Sequence, residues 1–348
     1  AQATDRSATL RQTPLHPLAP LRAHPAAHIT MIWRCLGALG LACSAAADCC
    51  ASGGIPFAEE CMPRPRAWEW AKEFLVANMP PADVANDMAR LDSPCCHNSL
   101  ANATLMAALD AKCRYSFAAA VPKEAWLNYV LPYASLNEPR VDWPTRFRSL
   151  FANLVPTDAS LEQAVISVND VKAIWSPPTG PIHFQADKTP RIMDPFSVMI
   201  FRESSCTGFS IYLVDALRSV GVPARVVGTP AWHGEPERGN HNWVEVWTGA
   251  ACTDIHTCSK GWAFLEGQES QSCNYRPGSW SPGCWFCNGA QFGNATKVYA
   301  AAWDRSLGRI PLAWAPSYRE VPGVDRSAWY REMCVNDRMQ VRSLRTTS

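Results

Sequence analysis

Fifteen cysteines constrain this 348-residue chain more than any other feature of its sequence. Cysteines in such number form disulfides in an oxidising compartment, whereas in the cytosol they more often bind metals or carry out catalysis. The first question is therefore which compartment the chain enters. The answer depends on whether the sequence carries an export signal.

A secretory signal peptide is predicted at residues 31–47. It begins at Met31 with a short positively charged start, continues through a compact apolar stretch and ends in three alanines. The alternative is an apolar helix inside a domain. We expect cleavage before Asp48. Residues 1–30 lack apolar periodicity and are predicted to be unstructured, either as leader sequence ahead of a start at Met31 or as a transit peptide.

The cysteine count supports export. Removal of Cys35 and Cys43 with the signal peptide leaves 13 cysteines, and an odd number in an oxidising compartment implies one thiol that is kept free. Cys206 is the candidate for that thiol. The other twelve can pair completely, and they are Cys49, Cys50, Cys61, Cys95, Cys96, Cys113, Cys252, Cys258, Cys273, Cys284, Cys287 and Cys334.

Two local cysteine patterns permit more specific expectations. Cys252 and Cys258 lie in a polar loop between two predicted strands and are well placed for a disulfide across a hairpin. A zinc site is the competing interpretation of Cys284 and Cys287, but no second Cys-x-x-Cys or His pair stands at ligand spacing. We expect no metal and no other cofactor.

The overall composition excludes several classes of protein. Hydrophobic residues make up 47% of the chain and charged residues 18%, which is typical of folded globular proteins and not of disordered ones. The net charge of +1 does not provide the excess positive charge that is typical of nucleic-acid-binding proteins. No stretch is as long and apolar as a membrane-spanning helix. We therefore expect neither a nucleic-acid partner nor a membrane anchor after signal cleavage.

The expected location of the mature chain is secreted or lumenal. Two N-glycosylation sequons, at Asn102 and Asn294, are compatible with a secreted, glycosylated surface.

Apolar periodicity and proline positions divide the mature chain into four regions. A Cys-rich leader covers residues 48–64, and short packed helices separated by prolines are predicted over 65–180. A core of mixed helix and strand is predicted over 181–303, followed by a C-terminal extension at 304–348.

The mixed core has one predicted helix and three predicted strands. The helix carries a continuous apolar face over 208–220 and stops at Gly221, which Pro223 follows. The strands are predicted at 224–228, 241–247 and 262–265.

This order of elements suits a nucleophilic thiol. Cys206 stands at the start of the predicted helix, where unpaired backbone N–H groups and the helix dipole favour a thiolate. His241 on a facing strand is predicted to pair with the thiolate, and Glu266 after the next strand to orient the imidazole. Glu269 is the rival acid, but alternation along the strand favours Glu266. The alternatives are a half-cystine at Cys206 and a core histidine at His241.

Several blocks of this region resemble the transglutaminase-like superfamily, whose papain-like core is shared by transglutaminases and peptide N-glycanases. The stretch from Phe74 to Arg146 is similar to the helical region that precedes this core in one uncharacterised subgroup. The blocks that carry the resemblance are Ser205–Arg225, Gly228–Trp232, Gly239–Trp247 and Trp262–Leu265.

The resemblance implies an α+β fold in which a Cys-bearing helix packs on a small antiparallel sheet. It implies Cys206 as nucleophile and His241 as general base and acid. The family usually has Asp where Glu266 stands, and a carboxylate that is one methylene longer can still reach the ring N–H. Calcium dependence occurs in some relatives, but the sequence contains no EF-hand loop or dense acidic cluster.

Three further residues are weaker candidates by the same resemblance. Gln185 is a candidate oxyanion donor, as a side-chain amide is in papain-like sites. Trp232 and Trp243 are candidates for an acyl-donor groove, although each is individually more typical of a packing aromatic.

Two hypotheses about function follow. The first is a secreted thiol enzyme that forms an acyl-enzyme at Cys206 with a protein or peptide amide, and then transfers the acyl group to water or to an amine. The second is a disulfide-stapled binding or structural protein that uses the same core with weak or lost activity. The substrate, the acceptor and the oligomeric state are left open by the sequence.

Overall fold

The structure is a computed structural model that describes residues 64–85, 100–170, 174–176, 180–258, 261–266 and 285–335. All of these residues belong to one compact unit, Ala45–Ser348. The predicted signal peptide, the segment before it and residues 48–63 of the Cys-rich leader lie outside the described residues, as does Glu269.

The first half of the described chain is helical, as predicted. Proline begins or precedes several of these helices: Pro81 opens the second, and Pro122 directly precedes the fifth. The apolar stripes predicted from periodicity are buried, for example at Leu75 and Leu105. The helices are α1 (Arg64–Asn78), α2 (Pro81–Ala85), α3 (Leu100–Arg114), α4 (Ser116–Ala119), α5 (Lys123–Tyr129), α6 (Trp143–Phe151) and α7 (Leu161–Val168).

Strands and three more helices make up the second half. The helices are α8 (Pro195–Phe201), α9 (Cys206–Ser219) and α10 (Ser327–Cys334). The strands are β1 (His183–Phe184), β2 (Glu203–Ser204), β3 (Ala224–Thr229), β4 (His241–Trp247), β5 (Trp262–Leu265), β6 (Tyr299–Ala301), β7 (Arg309–Ile310) and β8 (Val321–Asp325). The helix and the three strands predicted for the mixed core all form.

Six of the strands make one antiparallel sheet in the order β5-β4-β3-β6-β8-β7. β4 is central to the site, and both of its faces are buried. Val244 and Val246 pack in the same core as α9, whereas Trp243 and Trp247 lie in clusters on the other side. The fold is therefore α+β, with the Cys-bearing helix on an antiparallel sheet.

The sheet continues past residue 303, where the sequence predicts a C-terminal extension. β8 pairs with β6, with Tyr299 opposite Asp325, and β7 closes the edge against β8. The sequence gives little signal for these strands, because β7 has two residues and β8 contains Pro322 and Gly323, which strands generally avoid. Pairing of β8 with β6, and of β7 with β8, supplies what their local propensity lacks.

Helix α9 lies between the sheet and the N-terminal helices and is almost entirely buried. Thirteen of its 14 residues are buried. Tyr212, in its middle, packs edge-on against Phe147 of α6 at 5.3 Å between ring centroids, and its hydroxyl donates to the carbonyl of Ile174 at 3.0 Å. The helix ends before Gly221, whose φ of +85° suits a glycine at that turn.

A buried arginine near the end of α9 joins the helical half to the sheet. The Arg218 guanidinium donates to the backbone carbonyls of Tyr129, Pro132, Ala134 and Ala224 at 3.0–3.2 Å. The Tyr129 carbonyl ends α5, those of Pro132 and Ala134 follow it, and that of Ala224 opens β3. A charged donor that satisfies several buried carbonyls stabilises the junction, because those oxygens have no access to water without it.

Two disulfides are present within the described residues. Cys252 and Cys258 are bonded, with Cα atoms 5.9 Å apart, which confirms the predicted hairpin disulfide. Cys287 is bonded to Cys334 of α10, with Cα atoms 4.5 Å apart. The zinc interpretation of Cys287 is therefore wrong, because its sulfur is committed to a disulfide; Cys284 lies outside the described residues.

The two predicted glycosylation sequons differ in exposure. Asn102 is fully buried inside α3, so a glycan has no room there in the folded chain. Asn294 is exposed. Among the described helices, none has the length and apolar character required to cross a membrane.

Replacement of Arg218 tests the junction between the two halves. We expect Arg218→Met to lower the free energy of unfolding by about 3 kcal/mol, because several buried carbonyls lose their donor. The exposed Arg146 on α6 is the matched control, and Arg146→Met should change stability by less than about 0.5 kcal/mol. Urea denaturation measures both. Equal effects of the two substitutions would contradict the assignment.

Candidate active site

Cys206 is the first residue of α9 and the only residue of that helix that is not fully buried. Strand β2 leads directly into it, and the Ser205 side chain caps the helix by accepting the Thr207 N–H at 3.2 Å. The Cys206 thiol is not in a disulfide. Its backbone N–H has no acceptor within the described residues, as expected in the first turn of a helix.

His241 opens β4, and its ring meets the carboxylate of Glu266. Nε2 of His241 and Oε1 of Glu266 are 2.5 Å apart and both side chains are almost entirely buried. Glu266 follows β5, which pairs with β4 so that Phe264 lies opposite Glu245. Two residues on from Phe264, the Glu266 side chain points to the same face of the sheet as His241.

A side chain at the end of α7 hydrogen-bonds the backbone of Glu266. The Asn169 side chain, at the end of α7, donates to the Glu266 carbonyl at 3.4 Å and accepts from Nε1 of Trp175 at 2.9 Å. α7 packs against α9, so one support positions both the carboxylate and the thiol-bearing helix.

The Cys206 thiol and the His241 side chain shift each other's pKa values. Burial raises the pKa of the Cys206 thiol, but the neighbouring His241 and the backbone N–H of Asn242 outweigh this, and the net pKa lies below its usual value. Burial lowers the pKa of His241, but its interactions with Cys206 and Glu266 outweigh this and raise the pKa to about 10. Both shifts favour the charged forms, a thiolate and an imidazolium.

Asn242 joins α9, β3 and β4 at this site, and no feature of the sequence singled it out. Its buried side chain accepts the Thr207 hydroxyl of α9 at 2.9 Å and donates to the Val227 carbonyl of β3 at 3.1 Å. Opposite it in the sheet, a Cβ on Gly228 would lie 2.9 Å from the His241 carbonyl, so only glycine permits this close approach. Asn242 therefore fixes the separation of the Cys206 helix from the His241 strand.

Trp232 and Trp243 are packing aromatics and not walls of an open groove. They are 2% and 0% exposed, respectively, and stack on each other at 6.4 Å. The Trp243 indole N–H donates to the Tyr330 hydroxyl at 2.6 Å.

The half-exposed aromatic at this site is Trp285, whose ring centroid lies 5.3 Å from that of His241. Its signal in the sequence was weak because it lies outside the blocks that carry the resemblance.

Gln185 lies beside the strand that leads to Cys206. Its backbone N–H donates to the Ser204 carbonyl at 2.8 Å, and its side chain is exposed. No cluster of three or more metal-ligating side chains occurs within the part of the chain that the structure describes.

Comparison with known proteins identifies a family domain at this site. Residues 159–266 match the family model described as the transglutaminase-like superfamily, a range that begins before α7 and ends at Glu266. No curated protein matches the chain significantly.

Among solved structures, the chain is similar to the periplasmic domain of TgpA from Pseudomonas aeruginosa, in a crystal structure with bound ethylmercury. The two are 21% identical over 42% of this chain and 49% of that chain, with a TM-score of 0.27. The similarity therefore spans about half the length of that chain.

The pH dependence of alkylation tests the electrostatics of the thiol. We expect the rate of Cys206 labelling by iodoacetamide to reach half its plateau below about pH 8.5, the ordinary pKa of a cysteine. In His241→Asn the midpoint should move above that value, because the effects of burial and of Glu266 that raise the pKa remain. Peptide mass spectrometry after timed pulses gives both profiles. Identical midpoints would contradict the pairing.

Proposed function

We propose that this chain, which carries a domain of the transglutaminase-like superfamily, is a thiol enzyme that acts on amide bonds through an acyl-enzyme at Cys206. His241 serves as general acid and base, and Glu266 orients its ring. The observation that carries the proposal is the His241–Glu266 pair, with Nε2 and Oε1 2.5 Å apart, beside a Cys206 thiol whose pKa His241 lowers.

The state of the thiol supports this reaction. A thiolate is the nucleophilic form of cysteine, and the lowered pKa of Cys206 makes that form more abundant than in an ordinary cysteine at the same pH. Cys206 is also the one partly exposed residue of α9, since the remainder of the helix is buried. A buried structural cysteine would show neither feature.

The proposed acylation step balances without any cofactor. The Cys206 thiolate attacks the amide carbonyl carbon, a C–S bond forms, and the C–N bond breaks. The leaving amine takes the proton of the His241 imidazolium. The product is a thioester on Cys206 and a neutral imidazole on His241.

Deacylation uses the same groups in reverse. Water or an amine attacks the thioester while neutral His241 accepts its proton, the C–S bond breaks, and the thiolate is regenerated beside the imidazolium. We propose a protein or peptide amide as the acyl donor. The acceptor depends on how well the acyl-enzyme excludes water, because a desolvated site favours an amine.

Two donors are proposed for the oxyanion that forms during attack. The first is the backbone N–H of Cys206, which has no acceptor within the described residues. The second is the side-chain amide of Gln185, whose backbone lies beside Ser204, two residues before the thiol.

We further propose that the enzyme works outside the cytosol. Two disulfides within the described residues, Cys252–Cys258 and Cys287–Cys334, support an oxidising compartment. The predicted signal peptide at 31–47 provides the route of export.

Acyl transfer to Cys206 tests the proposal directly. Incubation with p-nitrophenyl acetate should add one acetyl group to Cys206, followed by loss of that group to water or, when ethylamine is present, to the amine. Intact-mass and peptide mass spectrometry follow both steps. Cys206→Ser should remain unmodified. A folded chain with an alkylatable Cys206 that never forms the thioester would favour the binding-protein hypothesis.

The third member of the site is tested by a matched pair of substitutions. Removal of the acid that holds the imidazole tautomer should slow turnover roughly 10²- to 10⁴-fold, as in other triads. We expect Glu266→Gln to show this loss of acylation rate and Glu269→Gln to show little change. The converse result would transfer the role to Glu269.

A further inference from the structure

Within the part of the chain that the structure describes, four aromatic side chains surround the ring of His241, and one of these four faces solvent. Trp232, Trp243 and Phe286 lie 5.6–6.2 Å from it between ring centroids and are buried. Trp285 lies 5.3 Å away and is 50% exposed. One part of its indole therefore packs on the imidazole and its neighbours, while the rest is available to a ligand.

Three interactions hold the backbone around Trp285 in place. The next residue, Phe286, is fully buried in the aromatic cluster, and Cys287 is bonded to Cys334 of α10. The Asn288 side chain donates to the Trp285 carbonyl at 2.8 Å. A large apolar side chain that is held in place and left half exposed is typical of a recognition surface, since a rigid aromatic offers contact area at little entropic cost.

The position of Trp285 on His241 determines which part of a substrate it meets. His241 delivers its proton to the leaving group, so the leaving group must lie next to the imidazole. An indole in contact with the imidazole therefore borders the leaving group and not the far end of the acyl chain. By the reversal of the same steps, it also borders the incoming acceptor.

We propose that Trp285 is a specificity-determining residue that packs against an aromatic or bulky apolar group on the leaving side of the scissile bond. The inference rests on the proposed function and names the substrate class: amides whose amine component carries such a group next to the bond that breaks. The contact is made by the exposed part of the indole.

Two acetyl esters that produce the same acyl-enzyme test the contact. p-Nitrophenyl acetate has an aromatic leaving group and trifluoroethyl acetate a small one. We expect Trp285→Ala to slow acetylation of Cys206 by the aromatic ester roughly tenfold, the loss expected for one aromatic contact, and by the small ester less than twofold. Trp285→Phe should recover most of the difference.

Two controls separate specificity from support of the site. Trp329→Ala removes an indole from the edge of the same cluster, where it contacts Arg326 and Tyr330, and should leave the ratio of the two ester rates unchanged. Trp285→Ala should also keep the wild-type rate of iodoacetamide labelling, which reports the thiolate.

The possible outcomes distinguish this inference from the proposed function. If Trp285→Ala slows both esters equally, or if its iodoacetamide labelling falls in parallel, Trp285 only supports His241 and the inference is wrong while the enzyme proposal stands. If neither ester acetylates Cys206 in the wild-type chain, the proposed function fails and the inference falls with it. A selective loss with the aromatic ester establishes both.

Discussion

The burial of helix α9 is the constraint on which the rest of the structure depends. The helix has the sheet on one side and α3, α6, α7 and α8 around the others, so its position is fixed by apolar packing along its whole length. Near its C-terminal end, Arg218 donates hydrogen bonds to backbone carbonyls of both halves of the chain. Its N-terminal end is left partly open, and Cys206 lies there. A thiol on such a helix has a fixed position, which a thiol on a surface loop would lack.

A buried charge network secures the opposite face of the sheet. Glu245 of β4 is fully buried between Arg225 of β3 and Arg326 before α10, at 2.6 and 3.2 Å, and accepts the Tyr330 hydroxyl at 3.0 Å. Burial raises the pKa of Glu245, but the two guanidinium groups and the Tyr330 hydroxyl outweigh this and keep it lowered, so the carboxylate stays charged. Because Tyr330 also accepts the Trp243 indole N–H, the network holds α10 against the aromatic cluster that surrounds His241. A segment beyond the matched family domain is thereby part of the site's support.

Burial and the neighbouring polar groups shift the pKa values of Cys206 and His241 in opposite directions. Burial alone would keep both Cys206 and His241 neutral, since a low-dielectric surrounding penalises either charge. Their mutual interaction, together with Glu266 and the Asn242 backbone, opposes this and shifts both pKa values toward the charged forms. Asn242 matters twice, because its N–H lowers the pKa of the thiol and its side chain joins helix to strand. The two pKa shifts are therefore a property of the assembled site and not of either residue alone.

The sequence by itself determined the elements whose signals are local. The helix from Cys206, the three strands at 224–229, 241–247 and 262–265, and the Cys252–Cys258 disulfide all follow from periodicity, turn residues and spacing. Strand alternation also predicted the face on which the Glu266 side chain lies, because that depends only on a period of two. The assignment of catalytic roles to Cys206, His241 and Glu266 stays a prediction.

Only the tertiary structure decided what depends on residues far apart in the chain. β7 and β8 have poor strand propensity and form because β6 pairs with β8 and β8 pairs with β7. The Cys287–Cys334 disulfide, the buried state of Asn102 and the clamp made by Asn242 have no local signature. Trp232 and Trp243 are buried because Phe286, Tyr330 and their neighbours cover them, which left Trp285 as the exposed ring on His241. For these rings, exposure is set by what packs on them from elsewhere in the chain.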